Sequence, residues 1–214
     1  MKNTFEEHGW IPTESTFSAT ELGTISGMPL NLQRVWRSRG QLPGGSGKQA
    51  RFTSHQVAEI MVRYHLALNG IPPGESAPIG KEVAQQILCF ALLGSGGACE
   101  VVGQIGEVEN FLELFKRDIL AGDISVAQEL AGSVELSQFL WREDGGDLGL
   151  VADVVQLITA RRSISGLFVD LEVAADQLVE RAGRPLFSIN VSPRASGRRI
   201  RRMTNGRMLE LVSG

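Results

Sequence analysis

The sequence contains little of what metal centres, disulfide scaffolds and hydrolytic sites are built from. Two cysteines and three histidines occur among its 214 residues. Cys89 and Cys99 lie ten positions apart without a nearby histidine, which is not a zinc-ligand spacing. Their apolar neighbours favour reduced core thiols over a disulfide. His8, His55 and His65 have no serine, cysteine or carboxylate constellation beside them, so we predict no catalytic residue, no metal site, no cofactor and no enzymatic activity.

Long apolar runs are also missing. The longest nearly apolar stretch, residues 87–97, is too short to cross a bilayer. The first ten residues contain no apolar core of the kind found in signal peptides. These features predict a cytoplasmic protein that does not associate with membranes.

Positive charge is not in excess. Lys and Arg number 21 and Asp and Glu number 24, which gives a formal net charge of −3. This balance excludes a wholly basic nucleic-acid-binding coat but permits a local basic surface. Residues 16–70 carry six basic side chains and two acidic ones, so the positive charge is concentrated in one part of the chain.

That basic part has the sequence signals of two short helices joined by a glycine-containing turn. Ser18 can cap a first helix, and Glu21, three residues later, completes a capping box. The helix is expected to end near Gly27. Pro29 can then stand in the first turn of a second helix, where its missing N–H costs nothing. This arrangement is typical of a helix-turn-helix, whose second helix can enter the major groove of DNA.

The second helix, residues 29–39, is chemically divided. Leu32, Val35 and Trp36 have the spacing of one apolar face, so we predict that they are buried. The remaining positions supply guanidinium, amide and hydroxyl groups that can contact base edges and phosphates. The DNA-binding residues predicted on this helix are Asn31, Arg34, Arg37, Ser38 and Arg39.

A flexible Gly/Ser tip follows at residues 44–47, and then a short cationic run that ends at Phe52. This pattern indicates a β-hairpin wing along the phosphate backbone. A third helix, capped by Thr53 or Ser54, is expected to continue to residues 69–70. The predicted wing contacts are Lys48, Gln49 and Arg51, and the predicted buried stripe of the third helix is Val57, Ile60, Met61, Tyr64 and Leu68.

These pieces, in this order, resemble the N-terminal winged helix-turn-helix of MerR-type regulators. The segments that carry the resemblance are GMPLNLQRVWRSRGQLP, KQARFTSHQVAEI and HLALNGIPP, within about 58 of the 214 residues. The sequence departs from the family pattern at Gln33, where an aliphatic residue is usual, at Ala50, where arginine is usual, and at Phe52, where tyrosine is usual.

The resemblance implies a bacterial or phage transcriptional regulator that binds double-stranded DNA as a homodimer at a near-palindromic site. RNA polymerase or a regulatory protein is the implied partner. Excisionase-like heads are similar, so an architectural recombination factor is an alternative. A second alternative is a protein–protein interaction module.

The whole chain is predicted to be mainly α, with a winged helix-turn-helix followed by an α-helical domain and a small C-terminal β-hairpin. Helices are expected at residues 81–93, 107–120, 134–141, 150–161 and 167–182, and helix 107–120 is the candidate for part of a dimer surface. The predicted divisions are a flexible leader (1–14), the DNA-binding domain (15–74), a linker (75–80), a helical dimerisation or effector domain (81–184) and the hairpin with its basic segment (185–214).

The C-terminal segment combines strand composition at residues 186–191 with a hairpin signal at Asn205-Gly206. Six arginines and no acid lie between Arg194 and Arg207. They can add phosphate contacts to those of the head, or they can belong to a surface strand that pairs with an acidic partner or with the protein's own acidic helical domain. The additional DNA contacts predicted by the first interpretation are Arg198, Arg199, Arg201 and Arg202.

Overall fold

The computed structural model describes residues 10–42, 50–94, 97–144, 146–160, 165–191, 201–204 and 207–208, with the backbone alone for residues 160, 201–204 and 207–208. The helices are α1 (Ala19–Ser26), α2 (Leu30–Ser38), α3 (Ser54–Leu68), α4 (Pro73–Gly94), α5 (Ile105–Leu120), α6 (Ser125–Ala131), α7 (Val154–Ala160) and α8 (Leu171–Ala182). The strands are β1 (Trp10–Glu14), β2 (Thr16–Ser18), β3 (Arg51–Thr53), β4 (Cys99–Gly103), β5 (Phe139–Glu143), β6 (Gly149–Val151), β7 (Gly166–Asp170), β8 (Phe187–Val191), β9 (Arg201–Thr204) and β10 (Arg207–Met208).

The strands form three sheets. A five-stranded sheet has the order β1-β8-β4-β9-β10, in which β8 runs parallel to β4 and antiparallel to β1. A second sheet is the antiparallel β2–β3 ribbon, and the third has the order β6-β5-β7. The pairing of β9 with β10 encloses residues 205–206, where the sequence predicts a hairpin.

The prediction of a mainly α fold, with a winged helix-turn-helix, a helical domain and a small hairpin, is wrong. The fold is mixed α/β, and its largest sheet joins the first described strand to the last ones. Residues 10–14 of the predicted leader form β1, which pairs with β8 along its whole length. The predicted hairpin is not a separate appendage, because β9 pairs with β4.

Three of the predicted helices are strands for part or all of their length. Residues 134–141 contain the start of β5, residues 150–161 begin in β6 and residues 167–182 begin in β7. Each of these strands is short, apolar and rich in aromatic or branched residues. Periodicity alone does not distinguish such a run from a buried helical segment, and pairing with distant strands decides the outcome.

The N-terminal helices begin and end where the local signals predict. Ser18 and Glu21 form the capping box of α1, and Gly27 ends that helix with a φ of 75°. Thr53 caps α3, and Gln56 completes a second capping box. These signals act within four residues of chain, so the sequence alone suffices to read them.

Residues 75–80, predicted to be a linker, are helical and lie near the start of α4. Pro73 is compatible with this position because it is the first residue of α4, where an amide needs no intrahelical acceptor, whereas Pro78 lies inside the helix. The apolar stripe predicted for residues 81–93 is buried. The N-terminal unit, which comprises β2, α1, α2, β3 and α3, is therefore continuous with the following helix rather than separated from it by a flexible segment.

The apolar stripe of α5 packs inside the protein. Val108, Phe111, Leu112 and Phe115 are buried, and α5 lies against β4 and its neighbours in the five-stranded sheet. Helix 107–120 is predicted to form part of a dimer surface, a role to which these four side chains could contribute only if they were exposed. They are not available for that role, because the chain's own sheet covers them.

Both cysteines are core thiols. Cys89 and Cys99 are buried and neither forms a disulfide. Burial raises the pKa of Cys89 to about 11 and that of Cys99 to about 12. Because the thiolate is the nucleophilic form, both residues are unreactive at neutral pH.

His55, at the start of α3, connects three parts of the fold. Its Nδ1 lies 2.7 Å from Glu14 Oε1 and its Nε2 lies 2.8 Å from the carbonyl oxygen of Ala131. Both partners only accept hydrogen bonds, so the ring that satisfies both is the imidazolium. Burial alone would lower the pKa of His55, but the hydrogen bonds to Glu14 and Ala131 and the charge of Glu14 outweigh it and raise that pKa.

Stability should therefore depend on the charge of His55. A raised pKa means that its contribution is fully present below the ordinary value of 6.5 and is lost as pH rises through the raised value. Burial opposes ionisation of Glu14, but its hydrogen bonds with His55 lower its pKa, so its contribution is present above 4.5 and is lost at lower pH. We expect the free energy of unfolding to fall by about 0.5–1 kcal/mol between pH 5.5 and pH 9, as for a partly exposed ion pair.

Urea unfolding at the two pH values measures this loss. His55→Gln should remove it, whereas His65→Gln, which alters an exposed histidine of the same helix, should retain it. An equal pH dependence in wild type and His55→Gln would contradict the assignment.

Candidate nucleic-acid interface

The turn between α1 and α2 is held by a buried amide. Gln33 is 1% exposed, and its Nε2 donates hydrogen bonds to the carbonyl oxygens of Ala19 and Met28, each at 3.1 Å. Gly23 makes room for this contact, since a Cβ there would lie 3.2 Å from Gln33 Nε2. The glutamine therefore fixes the angle between the two helices by hydrogen bonding, where an aliphatic side chain would only pack.

Trp36 packs in the core on the inner face of α2. It is 4% exposed, and the guanidinium of Arg63 lies 5.6 Å from the centroid of its ring. Arg63 is itself buried and forms a 2.6 Å ion pair with Glu59. It also donates a hydrogen bond to the carbonyl oxygen of Pro73 at the start of α4. The position of α2 is thus coupled to α3 and α4 through one buried charged pair.

The opposite face of α2 is open to solvent. Asn31, Arg34 and Ser38 are exposed there, and Arg39 is exposed where the helix ends. The helix contains no acidic residue. Ser38 donates its hydroxyl proton to the carbonyl oxygen of Val35, which leaves its oxygen free to accept. Four of the five predicted contacts on this helix therefore share an accessible surface.

Arg37 occupies a less accessible position than predicted. It is half-buried, and one of its terminal nitrogens is shielded from solvent without a hydrogen-bond partner among the described residues. Val35 also differs from the prediction, because it is 40% exposed and lies outside the buried face. The buried face consists of Gln33 and Trp36, with Leu32 half-buried. The polarity pattern misassigned Val35, because it does not take account of the carbonyl oxygens of Ala19 and Met28 that bind Gln33 on the inner side of α2.

The β2–β3 ribbon lies beside these helices. Phe17 and Phe52 are direct partners in its register and neither is exposed to solvent. Phenylalanine suits this buried position, since the hydroxyl of a tyrosine here would need a hydrogen-bond partner. Arg51 is exposed at the start of β3, whereas Lys48 and Gln49 lie outside the described residues.

Two arginines that the sequence analysis did not single out, one in α8 and one just after it, contact the N-terminal unit. Arg181 donates a hydrogen bond to the carbonyl oxygen of Ile25. Arg184 lies 4.2 Å from the centroid of the Phe17 ring and pairs with Glu21. The Ser18 backbone N–H, the Ser18 hydroxyl and, to a smaller extent, Arg184 lower the pKa of Glu21. No local pattern signals these contacts, because they join positions about 160 residues apart.

The ion pairs in this region show which arginine side chains are available to bind a ligand. Glu59 neutralises Arg63, and Arg184 neutralises Glu21. Within the described part of the chain, no acidic residue pairs with Arg34, Arg39 or Arg51. The exposed charge around α2 and the ribbon is therefore positive.

The C-terminal arginines belong to a different part of the molecule. Arg201 and Arg202 lie in β9, where they pair in register with Gly103 and Val102 of the large sheet. Arg198 and Arg199 lie outside the described residues. β9 is therefore a strand of the five-stranded sheet and does not form an arm that extends from the N-terminal unit.

Comparison with known proteins does not assign a family. No protein-family model matches the chain, and no curated protein shows significant similarity to it.

Among the residues described, no group of three or more histidine, cysteine, aspartate or glutamate side chains could hold a metal ion. No described helix combines the length and hydrophobicity needed to cross a membrane.

Proposed function

We propose that this protein is a sequence-specific DNA-binding regulator, in which α2 enters the major groove and the β2–β3 ribbon contacts the phosphate backbone. The observation that carries the proposal is the division of α2. Its inner face is held by Gln33 and Trp36, while Asn31 and Arg34 point to solvent without acidic neighbours on the helix. A rigid helix with amide and guanidinium groups on its free face has the donors and acceptors that read base edges.

The resemblance to MerR-type heads supports the same assignment. The order of two short helices, a strand and a capped third helix agrees with what the resemblance implies. The strand pairs with β2, which precedes α1, whereas the resemblance implies a hairpin wing at residues 44–52. We further propose that the protein acts as a cytoplasmic homodimer at a near-palindromic site, with RNA polymerase or a regulatory protein as partner. A single small unit contacts few base pairs, and a two-fold arrangement doubles that number.

Selection of binding sites from random duplex DNA, followed by fluorescence anisotropy, tests the proposal. The wild-type protein should enrich one recurring sequence. Because Arg39 and Arg51 are exposed and a homodimer presents each of them twice, its affinity should fall about 150-fold between 50 and 200 mM salt if these four side chains neutralise phosphates. Failure to enrich any sequence, or binding that does not respond to salt, would contradict the proposal.

Two variants separate base reading from backbone contact. Arg34→Ala should reduce the preference for the selected duplex over an unrelated one by about 5- to 150-fold, the range for loss of a bidentate base contact. Arg51→Ala should weaken binding to both duplexes by the same factor. Arg117→Ala is the matched control, because it removes an exposed arginine of α5, whose side chain is 61% accessible. Equal behaviour of the Arg34 and Arg51 variants on every sequence would exclude a base-reading role for α2.

A further inference from the structure

Two apolar side chains are exposed on α2, Leu30 at its first residue and the β-branched Val35 among the polar groups of its free face. Val35 is 40% exposed, although it lies in the middle of the helix, and Asn31, four residues before it, is also exposed. Residues four apart on a helix are neighbours on the same face. Asn31 and Val35 therefore form an adjacent amide and apolar pair on the surface that we assign to DNA.

The side chain of Val35 suits a directional contact. A valine in a helix has essentially one χ1 rotamer, so its two methyl groups hold a constant position relative to the backbone. Gln33 and Trp36 in turn hold that backbone from the opposite face. The methyl groups are thus presented on a rigid support, and little conformational entropy remains to be lost on contact.

The major groove contains one apolar group that such a side chain can recognise, the C5-methyl group of thymine. The amide of asparagine matches the N6 and N7 atoms of adenine in the same groove. Resting on the proposed function, we propose that Val35 is a specificity-determining residue that contacts a thymine methyl group beside an adenine read by Asn31. The ligand class is therefore a duplex with an A·T-containing core in each half-site.

Replacement of thymine by deoxyuridine tests this contact, because it removes only the methyl group and preserves base pairing. Each thymine of the selected site is replaced in turn, and the affinity of the full-length protein is measured by fluorescence anisotropy at fixed salt. In the wild type, one thymine per half-site should be methyl-sensitive, with a loss of about fourfold, the factor that corresponds to one buried methyl-sized group.

The variants assign the methyl sensitivity to a residue. The Val35→Ala variant should bind with equal affinity the duplex that has thymidine at the methyl-sensitive position and the duplex that has deoxyuridine there. Leu30→Ala is the matched control, since Leu30 is 47% exposed on the same helix, and it should retain the fourfold ratio. The wild-type measurement requires no substitution in the protein, so it does not depend on the folding of a variant.

The outcomes distinguish this inference from the proposed function. A selected site with no methyl-sensitive thymine, or a Val35→Ala variant that keeps the wild-type ratio, overturns the role of Val35 while sequence-specific binding stands. A failure to select any sequence overturns both.

Discussion

Glu59→Ala is expected to lower the free energy of unfolding by about 3–5 kcal/mol, because it leaves the buried guanidinium of Arg63 without its counter-charge. The side chains of Arg63 and Glu59 are 4% and 10% accessible, and their nearest atoms are 2.6 Å apart. Apart from Glu59, Arg63 contacts the Pro73 carbonyl oxygen and the Trp36 ring, neither of which carries a full negative charge. Urea unfolding followed by circular dichroism measures the change.

A double replacement provides the control for Glu59→Ala. The double variant Glu59→Met/Arg63→Met should recover most of the lost stability, since apolar side chains of similar volume often replace a buried ion pair without loss. The space above the pair is limited, because a Cβ on Gly80 would lie 3.0 Å from both side chains. A loss below about 1 kcal/mol in the single variant would show that water or rearrangement compensates for the unpaired charge.

Phe52→Ala is expected to lower the free energy of unfolding by about 3–5 kcal/mol, the range for removal of a buried aromatic ring. Phe52 and its cross-strand partner Phe17 are both 0% exposed, and Arg184 covers the outer side of Phe17. The cavity would therefore open between the ribbon and the helices, where surrounding groups have little freedom to collapse into it. Thermal or urea unfolding measures the loss.

A surface apolar residue provides the comparison for Phe52→Ala. Leu68 is 66% exposed at the end of α3, so Leu68→Ala should change stability by no more than about 0.5 kcal/mol. If the two variants were equally stable, the ribbon would not be part of the core. The prediction that Leu68 belongs to the buried stripe of α3 is wrong, since no element among the described residues covers that end of the helix.

Together, these two sites link stability to the proposed DNA interface. Arg63 touches Trp36 under α2, and Phe52 lies in the strand that begins with the exposed Arg51. A protein that loses either contact should hold the side chains of the proposed interface less rigidly. Because rigid presentation lowers the entropic cost of binding, DNA affinity should fall in both variants even under conditions where each remains folded.

The pair at Glu59 and Arg63 also connects the N-terminal unit to α4. Arg63 reaches the first residue of α4, and His55 reaches the end of α6. Composition at residues 70–80 predicts a hinge, but these contacts tie the unit to the helices that follow. Several prolines and glycines in sequence therefore mark the start of a helix here, since proline is as compatible with a first helical turn as with a loop.

Short-range signals predicted the three helices of the N-terminal unit well, whereas β2 and its pairing with β3 were not predicted. The capping boxes of α1 and α3, the left-handed Gly27 and the exposure of Asn31, Arg34 and Arg51 follow from residues within a few positions of one another. Capping and turn formation satisfy backbone groups locally, so they need no knowledge of the rest of the chain. The basic, acid-free character of α2 is likewise a property of its own nine residues.

Long-range contacts decided the rest. β1 is a strand because it pairs with β8, and β9 pairs in the same sheet with β4. No pattern in residues 10–14 or 201–204 predicts these partners. Gln33 is buried because its amide binds the carbonyl oxygens of Ala19 and Met28. Val35 lies on the side of the helix that faces solvent, so it is exposed. The sequence alone thus determined where helices are capped and where charge is concentrated. Only the tertiary structure decided which side chains face inward, because burial depends on groups brought together from distant parts of the chain.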